Sequence, residues 1–163
     1  SHETQRKPRT RVRGGRHCVI VGCYDSMLFF MAGEKTDKSE YCFSVKRSYA
    51  GRGLFANTTF RRGQKIVEYV GPLIPAKVAE DIVTNRYLFD VNTRWTIDGR
   101  GRENIARYAN HSCKPNAEAD VRGKRVFIVA RKKILPGDEI VYDYGEEYFD
   151  EYIKPVGCKC AAC

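Results

Sequence analysis

Three stretches of the chain carry more hydrogen-bonding and nucleophilic groups than strand packing needs. The densest is Arg107-Tyr108-Ala109-Asn110-His111-Ser112-Cys113-Lys114-Pro115-Asn116. Its amide and imidazole groups bond at fixed angles, and Asn110 with His111 could grip a purine-like ligand. The second is Gly51-Arg52-Gly53, followed by Leu54-Phe55-Ala56. Two glycines one residue apart admit unusual backbone angles and let a ligand come close to the main chain. No P-loop lysine-serine continuation and no strand-turn-helix context accompany them, so phosphate cradling is not expected. The third is Gly137-Asp138-Glu139-Ile140-Val141-Tyr142-Asp143-Tyr144-Gly145. Strand side chains alternate with period two, so Tyr142 and Tyr144 share a face, and a strand end at Gly145 lets Tyr144 reach a cavity.

The seven cysteines add metal chemistry. Cys158-Lys159-Cys160-Ala161-Ala162-Cys163 has a spacing that wraps readily around one ion but closes disulfides poorly. Tetrahedral zinc needs a fourth ligand, drawn from Cys18, Cys23, Cys42 or Cys113. Cys113 lies in the dense polar stretch and offers that thiolate, which would tie the ligand site to the metal tail. A zinc-thiolate centre implies a reducing, intracellular home. Cys18, Cys23 and Cys42 are then expected to be ordinary buried or partly exposed thiols.

These groups must be held by short elements. Strands are expected in 18–30, broken at Gly22, then an exposed loop over 33–40 and a strand over 41–47. Gly51 to Gly53 reads as punctuation before a strand at 54–56; 60–64 is a turn and 65–70 a strand. Pro75 fits the first turn of a helix over 76–83, the one convincing helix. Further strands are expected at 87–91, 94–97 and 126–130, with a turn at 135–138 and a last strand at 139–144. The reading is a mostly β domain of small sheets with one short helix.

With 163 residues, 42% of them apolar, the chain can close one hydrophobic core. It contains no run of about 18 uncharged apolar residues, so no membrane-spanning helix and no membrane partner are expected. The formal net charge is +9. Residues 1–16 hold Arg6, Lys7, Arg9, Arg11, Arg13 and Arg16 against Glu3 alone. Such a basic, flexible arm suits DNA or nucleosome contact through residues 6–16, or plain solvation.

Taken together and in this order, the three clusters resemble the SET domain of protein lysine methyltransferases. The likeness runs from about Phe43 to Cys163. GRGLFA (51–56) resembles the family's first cofactor loop, EYVG (68–71) its Glu-Tyr-x-Gly segment, and YLFD (87–90) its next strand. ENIARYANHSCKPN (103–116) is similar to its most diagnostic stretch, GDEIVYDYG to its catalytic strand, and the terminal cysteines to a short post-SET zinc motif. The resemblance implies small curved sheets with a pseudoknot, in which the Asn-His-Ser segment passes beneath a loop, closed by a C-terminal zinc-bound tail. It divides the chain into a basic arm (1–16), a flanking segment (17–42), a SET domain (43–149) and a post-SET tail (150–163).

The same resemblance implies S-adenosylmethionine as cofactor, held by Gly51, Arg52, Gly53, Tyr87, Arg107, Asn110 and His111. It makes Tyr144 the catalytic tyrosine, with Tyr69 and Tyr142 walling the lysine channel, and one structural zinc on Cys113, Cys158, Cys160 and Cys163. Tyrosine rather than phenylalanine at position 142 implies mono- or dimethylation. Two departures stand out. Pro72 replaces the family's usual acidic residue after the Glu-Tyr-x-Gly segment, and two residues rather than four precede the last cysteine. The cysteine-rich pre-SET module of some branches is absent, which argues against the branch that writes heterochromatin marks.

The expected activity is methylation of a lysine in a basic, extended protein segment such as a histone tail, in the nucleus on chromatin. A bacterial source would move it to the cytoplasm or into a host cell. Two other readings stay open: methylation of a non-histone basic protein, and a non-catalytic chromatin or DNA-binding module of the same fold.

Overall fold

The computed structural model describes residues 42–82 and 84–163. The basic arm, the strands expected in 18–30, the loop over 33–40, Cys18 and Cys23 lie outside the described residues.

Short β-prone runs separated by turn residues become ten strands among the described residues. In chain order they are β1 (Phe43–Ser48), β2 (Gly51–Ala56), β3 (Lys65–Tyr69), β4 (Leu73–Pro75) and β5 (Leu88–Asn92). Then follow β6 (Trp95–Asp98), β7 (Asn110–His111), β8 (Ala117–Arg122), β9 (Arg125–Ala130) and β10 (Glu139–Tyr142). They form three small sheets, ordered β1-β2-β10-β7, β3-β9-β8 and β4-β6-β5. The fold is mostly β, as the sequence implies.

One apolar seam joins the elements that matter for the site. Leu54 of β2, Val126 and Ile128 of β9, Ile134, and Ile140 of β10 are all fully buried. Burial of each such side chain is worth about 1.5–3 kcal/mol. The run expected to be a buried strand at 126–130 is buried throughout.

Several boundaries differ from the sequence expectation. The glycine pair does not precede the strand but opens it, because the hairpin turn falls at Tyr49-Ala50 and Ser48 pairs with Gly51. Gly51 has φ of 108°, a left-handed-region value that lets one residue leave the turn and enter the ladder. The helix, α1 (Ala76–Glu80), stops short of 83. It has no side-chain cap and buries only Ala79, so little packing extends it. β10 ends at Tyr142 because the next ladder group is diverted: the Tyr144 backbone N–H donates to His111 Nδ1 at 3.3 Å. A helical run over residues 146–156 was not expected. Its local supports are the ring contact of Tyr148 with Tyr152, and the Lys154–Asp150 ion pair one turn apart at 2.9 Å.

Two distant segments cross beside the catalytic-strand candidate, the kind of crossing the implied pseudoknot needs. β7 runs parallel to β10, with Asn110 opposite Val141 and His111 opposite Tyr142. Asn116 secures the crossing. Its Nδ2 donates to Glu139 O at 2.7 Å and its Oδ1 accepts from the Val141 N–H at 2.9 Å. Asn104, fully buried, accepts from the Val70 N–H at 3.2 Å and donates to Gly99 O at 3.0 Å. Such buried polar groups have partners because an unpaired one is costly.

Candidate functional site

The polar residues singled out in the sequence converge on two cavities with a shared wall. The larger has a volume of about 660 Å3. Gly51 and Arg52 reach it from β2, Asn110 and His111 from β7, and Tyr87, Arg107 and Tyr144 complete that side. The smaller, about 120 Å3, is lined by Tyr69, Phe89, Tyr142, Tyr144 and Tyr148 among others. Tyr87, Arg107, Tyr144 and Tyr148 border both.

Tyr144 is the central group. Its hydroxyl donates to the Ala109 carbonyl at 2.8 Å, so the oxygen lone pairs are left for another donor. Its ring packs against Tyr142 at 4.8 Å, edge-on against Tyr148 at 4.9 Å, and against His111 at 5.5 Å. Burial, with several neighbouring phenols, pushes the Tyr144 hydroxyl far above the ordinary tyrosine value. Tyr142 is raised for the same reason, and so is Tyr69, whose hydroxyl donates to Tyr87 O at 2.9 Å. All three stay neutral phenols at any physiological pH.

A stability prediction follows from these shifts. Above about pH 10 the unfolded chain releases phenolic protons that the folded chain retains. The unfolded state then binds fewer protons, so stability falls as pH rises. Thermal melts at pH 8, 9.5 and 11 should show a progressive loss, reduced in Tyr144→Phe relative to its own pH 8 value. A parallel loss in both proteins would remove Tyr144 from the cause.

Asn110 is fixed by a carboxylate that sequence inspection did not single out. Glu139 accepts from the Ser48 hydroxyl at 2.7 and 2.8 Å and from Asn110 Nδ2 at 2.7 Å. Asn110 Nδ2 also donates to Arg52 O at 3.0 Å. Gly53 is buried and does not line either cavity. A Cβ there would lie 2.3 Å from Glu139 Oε1, so its bare backbone makes room for the carboxylate. The signal for this cluster was weak, since Ser48 and Glu139 are 91 residues apart.

Arg107 stacks over the Tyr87 ring at 3.8 Å and donates through Nη1 to the carbonyls of Arg100 and Gly101. Its Nε is a buried donor with no protein partner. An unpaired donor of this kind on a cavity-lining side chain fits a ligand that brings its own acceptors. The fit extends to size, because small-molecule sites commonly span about 300–1,000 Å3.

Four sulfurs gather at the edge of the larger cavity. The Sγ atoms of Cys113, Cys158, Cys160 and Cys163 all lie within 4.8 Å of one another. Cys113 is 3.9 Å from Cys158 and 3.4 Å from Cys163, and Cys160 is 3.5 Å from Cys163. Tetrahedral sulfurs about 2.3 Å from a zinc ion stand about 3.8 Å apart, so the set fits one ion. Burial opposes ionisation of Cys160, yet the backbone N–H groups of Cys113 and Ala162 hold its thiol down to about 6. Hydrogen bonds among the neighbouring sulfurs push Cys163 up to about 12. His111, with Nδ1 accepting from Tyr144, has its other ring nitrogen 3.5 Å from Cys113 Sγ. Gly157, Cys158, Lys159 and Cys160 line the larger cavity, so the cysteine tail is one of its walls. Cys42 is disulfide-bonded, not the free thiol expected.

Tyr148, Tyr152 and Arg86 are cavity-lining residues that sequence reasoning missed. Arg86 lies over the Tyr152 ring at 5.7 Å, and its carbonyl accepts from the Tyr148 hydroxyl at 3.3 Å. The four-residue spacing of the two tyrosines was the available signal.

A mostly β fold of three small sheets, with a crossing at β7 and β10 and two cavities meeting at a tyrosine, defines the class. The family profile of the SET domain matches residues 51–145, and the chain belongs to the SET-domain family. It is 34% identical to histone-lysine N-methyltransferase trithorax of Drosophila virilis over 79% of this chain and 4% of that protein. It is also 34% identical to the H3 lysine-4 specific histone-lysine N-methyltransferase of Schizosaccharomyces pombe, over 78% of this chain and 15% of that protein. Histone-lysine N-methyltransferase set-2 of Caenorhabditis elegans is 37% identical over 69% of this chain and 8% of its own length. The chain thus spans a small fraction of these relatives. No helix among the described residues is long and apolar enough to cross a membrane.

Proposed function

We propose that this chain is an S-adenosylmethionine-dependent protein lysine N-methyltransferase that adds one or two methyl groups to a histone tail on chromatin. The observation that carries the reading is the meeting of a large cavity and a narrow aromatic one at Tyr144. The relatives' names support the histone substrate. The SET domain is assigned to 43–149 and the post-SET tail to 150–163, behind a basic arm at 1–16 and a flanking segment at 17–42.

The larger cavity would hold the cofactor through Gly51, Arg52, Tyr87, Arg107, Asn110 and His111, with Gly53 acting through its fit against Glu139. S-adenosylmethionine, when bound, supplies a methyl group on a positively charged sulfur. Arg107 Nε offers the unpaired donor for a polar end of that ligand. Zinc would sit on Cys113, Cys158, Cys160 and Cys163, and its work is structural: it fastens the tail that walls the cavity.

The narrow cavity receives the lysine side chain. Tyr69, Phe89 and Tyr142 give it an aromatic wall that attracts an ammonium group and, by excluding water, favours its neutral form. An amine starts near pKa 10.4, so this shift is needed for nucleophilicity at neutral pH. Because the Tyr144 hydrogen is directed to Ala109, its oxygen faces the reacting groups as an acceptor and orients them. Tyr144 is too weak an acid to exchange a proton, so the amine's proton leaves to solvent. Positioning supplies most of the acceleration. Glu146, Glu147, Asp150 and Glu151, all exposed apart from the rings between them, would meet a basic peptide.

Methyl transfer from labelled S-adenosylmethionine to core histones and nucleosomes, followed by mass spectrometry, tests the proposal. A labelled histone lysine is expected. Labelling confined to other basic proteins would overturn the histone assignment, and no cofactor binding would favour the binding-module alternative. Tyr142 is 7% exposed and lines the narrow cavity, where its hydroxyl would take room from the amine. Tyr142→Phe should raise the highest product state by one methyl group, read as the mass of the end product. An unchanged end product would remove Tyr142 as the limit.

A further inference from the structure

We infer that two paired loops, 61–64 and 131–133, form a docking surface for the phosphate backbone of duplex DNA. Arg61, Arg62, Arg131, Lys132 and Lys133 are all exposed. Backbone pairing brings their loops side by side. The Gly63 N–H donates to Ala130 O at 2.7 Å and the Ala130 N–H to Gln64 O at 2.9 Å. Phe60 and Ile134, both buried, exchange two hydrogen bonds at 3.0 Å just beyond. The five cations are therefore presented from a fixed backbone.

None of the five forms an ion pair or a cation–aromatic contact with a described residue. The ion pairs there use Arg100, His111, Arg122, Arg125 and Lys154, and the cation–aromatic contacts use Lys46, Lys65, Arg86, Arg107, Lys124 and Arg125. The nearest acid in sequence, Asp138, is turned onto the Leu135 N–H at 2.8 Å. Glu118 lies across Val129 from Lys65, whose ammonium sits over the Phe127 ring at 3.8 Å. Five crowded, unpaired like charges repel one another, and a polyanion relieves that repulsion.

The chemistry favours a nucleic-acid backbone. Gly63 and Gln64 are the only other residues in the loops, so no aromatic wedge stands among the cations to enter a bilayer interface. The mixture of guanidinium forks and ammonium points suits phosphate oxygens. The surface also leaves the narrow cavity clear. It lies at the Lys65–Ala130 end of the β3–β9 pair, whereas Tyr69 is at the other end, about 13 Å away at 3.3 Å per residue. Duplex contact and occupation of the narrow cavity are therefore compatible. The inference does not depend on methyl transfer.

The test is fluorescence anisotropy of a short labelled duplex with the full chain, its basic arm intact, between about 50 and 200 mM salt. Two pairs of substitutions, Arg61→Gln with Arg62→Gln and Lys132→Gln with Lys133→Gln, are made separately and together. Each cation lost should reduce the slope of log affinity against log salt by about 0.9, so the quadruple variant loses between about 3 and 4. Affinity near 100 mM should fall more than about tenfold, with an unchanged thermal melt. Because each loop is tested alone, a melt disturbed in one pair leaves the other to decide. An unchanged slope in the quadruple variant overturns the inference. So does equal capture of the chain by phosphatidylserine vesicles that the same substitutions abolish, since the patch would then serve a membrane.

Discussion

Tyr144→Phe is expected to lower kcat by about two to three orders of magnitude while S-adenosylmethionine affinity changes by less than about threefold. The ring remains, and with it the packing against Tyr142, Tyr148 and His111. What goes is an oxygen that borders both cavities and whose hydrogen is committed elsewhere, to Ala109. An acceptor that acts in the transition state and not in cofactor binding should change kcat and leave binding alone. The variant also leaves the buried Ala109 carbonyl without this partner, which costs about 1–3 kcal/mol of stability. Melting curves must therefore accompany the kinetics. Isothermal titration with the cofactor separates the two effects: retained binding with lost turnover is the expected pair, and full turnover would remove Tyr144 from the mechanism.

Cys113→Ser should have the second large effect, on metal content and then on cofactor binding. Cys113 is the sulfur that joins the tail to the body of the domain, 50 residues from Cys163. Structural zinc sites contribute about 10–16 kcal/mol of binding free energy at neutral pH, so loss of one ligand should release the ion. The tail residues from Val156 to Cys160 would then no longer hold one wall of the larger cavity. Cofactor affinity should drop by at least about tenfold, an amount equal to about 1.4 kcal/mol. Because Cys113 also sits 3.5 Å from His111, Cys163→Ala is the better control for cavity effects. Zinc measured at one ion per chain in both variants would refute the four-thiolate site.

Much of the site could be read from the chain because its parts are locally dense. Asn110, His111 and Cys113 occur within four residues, and Tyr142 and Tyr144 within three, so each cluster announced itself. The elements were less legible where tertiary contacts decided them. Tyr144 leaves the strand because a histidine from β7 takes its N–H, which no local pattern reveals. Glu139 looked like an ordinary strand residue, and its part in fixing Asn110 depends on β2 pairing with β10 in one register. The helical run at 146–156 has acidic residues and scattered tyrosines rather than a clear apolar stripe. Its reason for forming lies in Tyr148 packing on Tyr144. β8 escaped notice for a similar reason, since Glu118 and Asp120 disguise a strand that β9 holds in full register.

The sheet order β1-β2-β10-β7 also has a temporal meaning. The β8–β9 hairpin and the β1–β2 hairpin join neighbours in the chain and can close as soon as they leave the ribosome. β2, by contrast, waits for Glu139 and Ile140, and the tail waits longer still for Cys163. Closing such distant contacts is slow, so the late steps set the folding rate. A nascent chain that has made everything up to His111 holds most of the groups for binding but no assembled centre. The site should therefore assemble only once the stretch through Cys163 has been made.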